Sequence, residues 1–403
     1  MALSLQFSPQ DEAFREDVRA FLAEHLDADL QQAARRQTTV FADKDVAMRW
    51  QRILHEHKGW AAPNWPKEFG GPGWSATERF IFNEECTRAG APGLIPLGLR
   101  MLAPVLFRYG TPEQQAWYLP RMLTGEHYWC QGYSEPGAGS DLSSLRTTAV
   151  QDGDDYVVNG TKIWTTHAHF ADHIFCLVRT DSSGRPQQGI TFLLIEMATP
   201  GITVEPIITL AGDHEVNQVF FDDVRVPRSN RVGPENEGWT VAKYLLEFER
   251  GGGGAAARLK VALDELKAIA RHLGDADGAL IEDPAFHDRI ATVEIGIEAL
   301  EFNELRALSK LADGASPGPE SSLAKNTAVD LEQAINTLAL EAIGYCGVPH
   351  HNLLRLEDNN APTVGPAEFE AVNGRYLNSR AASIFGGSRE VQKNIIAKTV
   401  LGL

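Results

Sequence analysis

Residues Gln131 to Asp141 read Q-G-Y-S-E-P-G-A-G-S-D, a short strand running into a turn rich in glycine and hydroxyl groups. Gln131, Tyr133 and Ser134 carry hydrogen-bonding side chains, and Ser140 and Asp141 add polar groups past the turn. Gly137 and Gly139 lack a Cβ, so a ligand can approach the backbone and positive φ is accessible. Successive N–H groups in such a turn can form an anion-binding concavity. An ordinary Gly-Pro turn between strands has the same composition, so the stretch needs companions. Trp164-Thr165-Thr166 offers an indole and two hydroxyls beside a strand, where sheet-edge packing is the competing use. Glu247-Phe248-Glu249-Arg250 is followed by four glycines, Gly251 to Gly254. Each glycine inside a helix costs about 1 kcal/mol relative to Ala. The run therefore marks a helix break or close helix contact, or room for a bulky, ring-bearing or branched ligand.

Composition bounds what such groups can serve. The chain has 403 residues with 43% hydrophobic content, enough for two to three domains with real cores. A net charge of −17 argues against nucleic acid and against an anionic membrane surface. Cys86, Cys130, Cys176 and Cys346 are far apart, which reads as buried thiols in a reducing compartment. The twelve His residues show no metal-ligand spacing, and His167 and His169, after Thr166, read as pocket wall. With no basic-then-apolar leader and no stretch long enough to span a bilayer, the expectation is a cytoplasmic protein.

The elements that position these groups follow from periodicity. Ser8, Pro9 and Asp11 form a capping pattern, and Phe14, Val18 and Phe21 share a helical face. Gly59 to Trp74 reads as a loop. Helices are expected over Ala76 to Ala89, over Pro96 to Tyr109, and from the Thr111-Pro112-Glu113-Gln114 cap to Gly125. Tyr156 to Trp164 reads as two strands around Asn159-Gly160, a hairpin signal. Further strands are expected at 174–178, 190–195, 202–206 and 219–226. Without alternating helices, a parallel doubly wound sheet is disfavoured. From Gly238 the helical period returns, over 239–273, 284–311, 322–344 and from Pro366 onward, with a linker at 313–321. The fold class is α+β: an N-terminal helical domain (1–125), a barrel- or sandwich-like β domain (126–235) and a C-terminal four-helix bundle (236–403).

Residues 131–141 resemble the first signature of the acyl-CoA dehydrogenase family, and Trp164 to Thr166 its second flavin segment. The stretch from Ser383-Ile384-Phe385-Gly386-Gly387-Ser388-Arg389-Glu390 through Lys398 to Leu403 resembles its last signature, a loop covering the active site. The resemblance spans essentially the whole chain. It implies FAD held by Gln131, Tyr133, Ser134, Gly139, Ser140, Trp164, Thr165, Thr166, Ser388 and Glu390, between the β domain and the bundle. It implies α,β-dehydrogenation of an acyl-CoA thioester: a carboxylate removes the α-proton and the β-hydride passes to flavin N5. Ser140, Glu247, Arg250, Gly386 and Gly387 would line the substrate, with the Gly386 amide aimed at the thioester carbonyl. An electron-transferring flavoprotein and a tetramer are the implied partners.

Three departures sharpen the expectation. Many members carry the base in a Y-E-G-T motif, but this chain has Phe385-Gly386-Gly387-Ser388. A minority, resembling isovaleryl-CoA and long-chain enzymes, place it on a helix before an Arg, the place of Glu249 here. Glu249 is thus the expected base and Arg250 its neighbour, with Glu390 a rival and a surface Glu-Arg pair the alternative. Arg271-His272-Leu273-Gly274-Asp275 stands where an R-x-x-F-G motif is usual. Glu341 and Tyr345 stand where a Gln and a Gly would meet the neighbour's flavin. The chain resembles the large subunit of two-gene bacterial enzymes of the pimeloyl-CoA dehydrogenase type. A heterotetramer with a paralogue completing the FAD site is therefore expected, beside a homo-oligomer with substituted residues. An oxidase on the same fold and a scaffold subunit with an idle site are the functional alternatives. Arg100 and Arg108 are candidates for a distal substrate carboxylate.

Overall fold

The computed structural model describes residues 7–250, 254–275, 278–312, 318, 320–349 and 364–403, and the side chains of Glu249, Arg250, Asp275 and Ala312 lie outside that description. Helices α1 (Pro9–His25), α2 (Ala28–Arg36), α3 (Lys44–Lys58) and α4 (Ala76–Arg88) form the N-terminal group. Ser8 and Asp11 close the expected capping box on α1. A π-helical turn, Leu97–Leu102, leads into α5 (Ala103–Tyr109), and Thr111 with Gln114 caps α6 (Pro112–Thr124). Aromatic residues Phe21, Trp50, Trp60 and Phe82 fill the core between α1, α3 and α4.

Seven strands follow: β1 (Trp129–Gly132), β2 (Thr148–Asp152), β3 (Asp155–Thr166), β4 (His173–Arg179), β5 (Ile190–Glu196), β6 (Ile202–Ile208) and β7 (His214–Pro227). They form one curled sheet in the order β1-β4-β2-β3-β7-β6, with β5 along β4. The unbroken apolar runs of β4 and β5 belong to strands buried on both faces. Phe175, Leu177, Phe192 and Leu194 enter a core shared with the N-terminal helices. Ile174, Cys176, Val178, Leu193 and Ile195 fill the opposite face.

Two expectations are corrected here. Asn159-Gly160 is not a hairpin turn. The turn is Gly153-Asp154, and β3 runs through Asn159-Gly160 with a register shift against β7. Gly160 sits at φ 149°, and a Cβ there would lie 2.6 Å from the Thr147 backbone. Close approach, not chain reversal, is what selects glycine. Asn159 instead bridges to the left-handed Asp223, exchanging hydrogen bonds of 2.9 Å with its backbone and carboxylate.

The second correction concerns the run 239–273. It divides into α7 (Gly238–Arg250) and α8 (Ala255–His272), with Gly254 at φ 81° before α8. Val241, Ala242 and Leu245 of α7 belong to the core shared by the sheet and the N-terminal helices. α8, α9 (Pro284–Ala312), α10 (Glu320–Ile343) and α11 (Val372–Ser379) build the separate bundle core, and α12 (Arg389–Ile396) lies along α10.

Residues 37–41 knit the three parts together. The amides of Val40 and Phe41 donate to Glu215 of β7 at 2.7 and 3.2 Å. Thr38 donates to Asp213, and Arg375 and Asn378 of α11 donate to the carbonyls of Gln37 and Thr38. Burial pushes the Glu215 carboxyl up to about 7, with Asp213 adding to the rise and the Phe41, Val40 and Asn378 donors opposing it. An unfolded Glu loses its proton near about 4.3. Between these values the folded chain holds a proton that the unfolded chain has lost, so stability falls as pH rises through the window. Glu215→Gln keeps the acceptor oxygen and needs no proton. The expected result is a higher Tm than wild type at about pH 8 and a flatter Tm profile down to about pH 5. Differential scanning fluorimetry checks this, and parallel profiles would show that Glu215 does not titrate in that window.

Candidate active site

The Gly-rich turn is open on one side and braced on the other. The Glu135 and Ala138 amides donate to each other's carbonyls at 3.0 Å. Gly137, Gly139 and Ser140 are exposed, and a Cβ on either glycine would meet nothing within 4 Å. Neither glycine uses positive φ, so the expected role of that freedom is corrected: what these residues supply is an open backbone face. Behind the turn, Glu135 accepts from the Arg146 and Thr147 amides at 2.6 and 2.9 Å and from Lys162 Nζ at 2.8 Å. Lys162 is 0% exposed and also donates to the Tyr133 carbonyl at 3.3 Å. The Ile163 amide donates to the Ser134 carbonyl at 2.9 Å. The two segments that the sequence pairs are thus stapled together by β3.

A bulge presents the second segment. Pairing of β3 with β7 shifts between Lys162 and Thr165, and Trp164 adopts φ 59° and is 59% exposed. A left-handed Trp is uncommon and signals a constraint at a site. Thr165 is buried with its Oγ1 lacking a partner among the described residues, as does Nε2 of the half-buried Gln131. Tyr133 is buried and Thr166 half-buried. Asn217 on β7 fixes this strand end by donating to the Thr165 carbonyl and bonding His169 Nδ1, each at 3.0 Å. Tyr128 OH bonds His167 Nδ1 at 2.6 Å beside this strand end. An exposed indole, two unused polar groups and an open backbone face fit a planar heteroaromatic ring carrying hydrogen-bonding atoms on its edge.

The C-terminal loop lies on α10. Gly386 and Gly387 have φ of 64° and 84°, and Ile384 and Phe385 are exposed beside them. The Ser388 hydroxyl accepts from the Val391 amide and caps α12. Glu390 is exposed in the first turn, where its own backbone amide and the Ser388 hydroxyl hold its carboxyl below the usual range.

Glu247 is exposed on α7. The side chains of Glu249 and Arg250, and the whole of Gly251 to Gly253, lie outside the described residues. Position 249 follows the buried Leu245 by about one helical turn. Of the two candidates for a distal carboxylate, Arg108 is stacked 4.6 Å from the Tyr244 ring of α7 and Arg100 lies in the π-helical turn. Glu341 pairs with Arg289 at 2.5 Å on the bundle surface, and Tyr345 is 93% exposed.

Sequence reasoning missed Lys162, Glu135 and Asn217. For Lys162 a signal existed: Tyr156, Val158 and Gly160 alternate with it on one face of β3, so a charge at 162 points inward and demands a carboxylate.

Two helical groups flanking a curled β domain define a three-part architecture. The chain belongs to the acyl-CoA dehydrogenase family, a family of FAD-dependent oxidoreductases. Residues 8–126, 130–224 and 236–401 match its N-terminal, middle and C-terminal domain models, respectively. Acyl-CoA dehydrogenase IpdE1 of Mycobacterium tuberculosis (strain ATCC 25618 / H37Rv) is 36% identical over 97% of each chain. The ChsE4–ChsE5 complex from Mycobacterium tuberculosis contains a chain 33% identical over 99% of both, with TM-score 0.82. The Tcur3481–Tcur3483 steroid ACAD is similar over 99% of both chains, at 28% identity and TM-score 0.82. Among the described residues no helix is long and apolar enough to cross a membrane.

Proposed function

We propose that this chain dehydrogenates a bulky, ring-bearing acyl-CoA thioester at its α,β-bond, with Glu249 as the base. The observation that carries the reading is the stapled cradle: an open glycine turn and a bulge-exposed Trp164, held together by the buried Glu135–Lys162 pair. Bound FAD would accept the hydride equivalent from the substrate β-carbon. Gln131, Tyr133, Ser134, Gly139, Ser140, Trp164, Thr165 and Thr166 hold and orient the ring, with Ser388 and Glu390 at the loop. Glu249 takes the α-proton, Arg250 stands beside it, and the Gly386 amide donates to the thioester carbonyl where enolate charge develops. The ring-bearing substrate class is supported by the four-glycine run after Arg250 and by the likeness to a steroid ACAD.

A heterotetramer with a paralogous subunit, reoxidised by an electron-transferring flavoprotein, completes the proposal. Its support is the Glu341 carboxylate, engaged with Arg289 where a neighbour's pyrophosphate would meet repulsion, together with the two-subunit relatives. The test is the visible spectrum of the chain alone and co-purified with its paralogue, followed by anaerobic titration with ring-bearing and straight-chain thioesters. A colourless chain that turns yellow with its paralogue and bleaches with a ring-bearing thioester is the expected result. A chain that is yellow alone removes the need for the partner, and one that bleaches only with short straight chains removes the substrate class.

A further inference from the structure

Lys325 sits on α10, half-buried beneath the C-terminal loop. Its Nζ donates to three main-chain carbonyls of that loop: Ala382 at 3.0 Å, Phe385 at 3.0 Å and Gly387 at 2.9 Å. An ammonium has three donors and no acceptor, so three converging carbonyls make a fitted cradle for it. Gln392, 1% exposed, donates to the Gly386 carbonyl at 3.1 Å from the other side. Gln392 also reaches the Gly387 carbonyl at 3.4 Å, and together the two donors hold the peptides of one turn, which Gly386 and Gly387 permit through positive φ. A Cβ at Gly387 would lie 2.4 Å from Gln392 Nε2.

The consequence is directional. In a trans peptide the C=O and the following N–H point to opposite sides, and every described peptide is trans. With the Phe385 carbonyl drawn to Lys325, the Gly386 N–H points away from α10. A positive charge on that carbonyl also withdraws electron density from the amide, which strengthens its N–H as a donor. We infer that Lys325 is a positioning residue for the dehydrogenation: it aims and polarises the Gly386 amide that receives the thioester carbonyl. This rests on the loop's being the element that faces the thioester. Because the benefit grows as enolate charge develops, it falls on kcat and not on ground-state binding.

The test uses the flavin-loaded enzyme and cinnamoyl-CoA labelled with ¹³C at the thioester carbonyl. Infrared difference spectra of the bound carbonyl in wild type should show a band below its solution position. Lys325→Met should return most of that shift and lower kcat about tenfold with KM little changed, less than the ~10²–10³-fold loss on deleting an oxyanion donor outright. Lys325→Gln, which retains a donor without the charge, should fall between the two, and Lys325→Arg should recover part of the shift. A wild-type shift that persists in Lys325→Met, with only Tm reduced, would overturn the inference. Should Lys325→Met fail to fold, a wild-type band position in Lys325→Gln would overturn it equally. A bound carbonyl unshifted in wild type would overturn the assignment of the loop itself, and is distinguishable because no variant is needed to see it.

Discussion

Glu249→Gln is expected to lower kcat by about 10²–10⁴-fold, the range a positioned general base supplies, while the enzyme keeps its flavin and still binds enoyl product. The amide is isosteric with the carboxylate but cannot accept the α-proton. α7 is anchored through Val241, Ala242 and Leu245 in the largest core, so the substitution does not disturb the helix that carries it. The control is Glu390→Gln, which is expected to leave kcat within a few-fold of wild type. Glu390 is exposed at the start of α12, and the helix amide and Ser388 hold its carboxyl low, a poor match for proton abstraction near neutral pH. Stopped-flow reduction of the flavin by a ring-bearing thioester measures both variants. The reverse ranking would move the base to the loop, and an unaffected Glu249→Gln complex would place the chemistry in the partner subunit.

Lys162→Met destabilises the enzyme by about 3–5 kcal/mol, the usual cost of removing one partner of a buried ion pair. Glu135 keeps two amide donors but loses its countercharge in a site only 8% exposed. Burial raises the Glu135 carboxyl, yet the Lys162 charge and hydrogen bond, then the Thr147 and Arg146 donors, bring it below the usual Glu range. Its contribution is therefore present above the unfolded pKa of about 4.3 and lost as pH falls through the folded value. Glu135→Gln with Lys162→Met should cost less than the sum of the two single changes, because no charge is then stranded. Urea midpoints at neutral pH, with flavin retention as a second readout, check the cycle. Strict additivity would mean that the pair does not act as a unit. Flavin loss should accompany unfolding in Lys162→Met, since the pair braces the turn that cradles the ring.

What was legible in the sequence was whatever local chemistry decides. The caps at Ser8 and Thr111 are set by residues three apart, and both form. The strands expected at 174–178 and 190–195 both form, as β4 and β5. Asn159-Gly160 misled because the dipeptide favours a tight turn only where nothing else claims it. Here the long pairing of β3 with β7 claims it, and the neighbouring Asp152-Gly153-Asp154-Asp155 provides the reversal. The run after Gly238 kept its helical period through the glycines, which left a helix break, a close helix contact and a wide pocket all open, and the backbone at Gly254 shows the break. Lys325 carried no signal at all: one Lys on an amphipathic helix looks solvated until a loop more than fifty residues later brings three carbonyls to it.

The division between α7 and α8 has a mechanical meaning. α7 is built into the core of the sheet and the N-terminal helices, whereas the loop carrying Gly386 is fastened to α10 in the bundle. The proposed proton acceptor and the proposed carbonyl donor are therefore mounted on elements packed in different cores, like the two jaws of a vice. The seam at residues 37–41, where β7 and α11 are both tied down, joins the two parts, beside the direct packing of α4 on α8 and α9. A lesion in that seam, far from any substrate atom, would open the jaws before it melted either body, and turnover would fail at temperatures where the fold still holds.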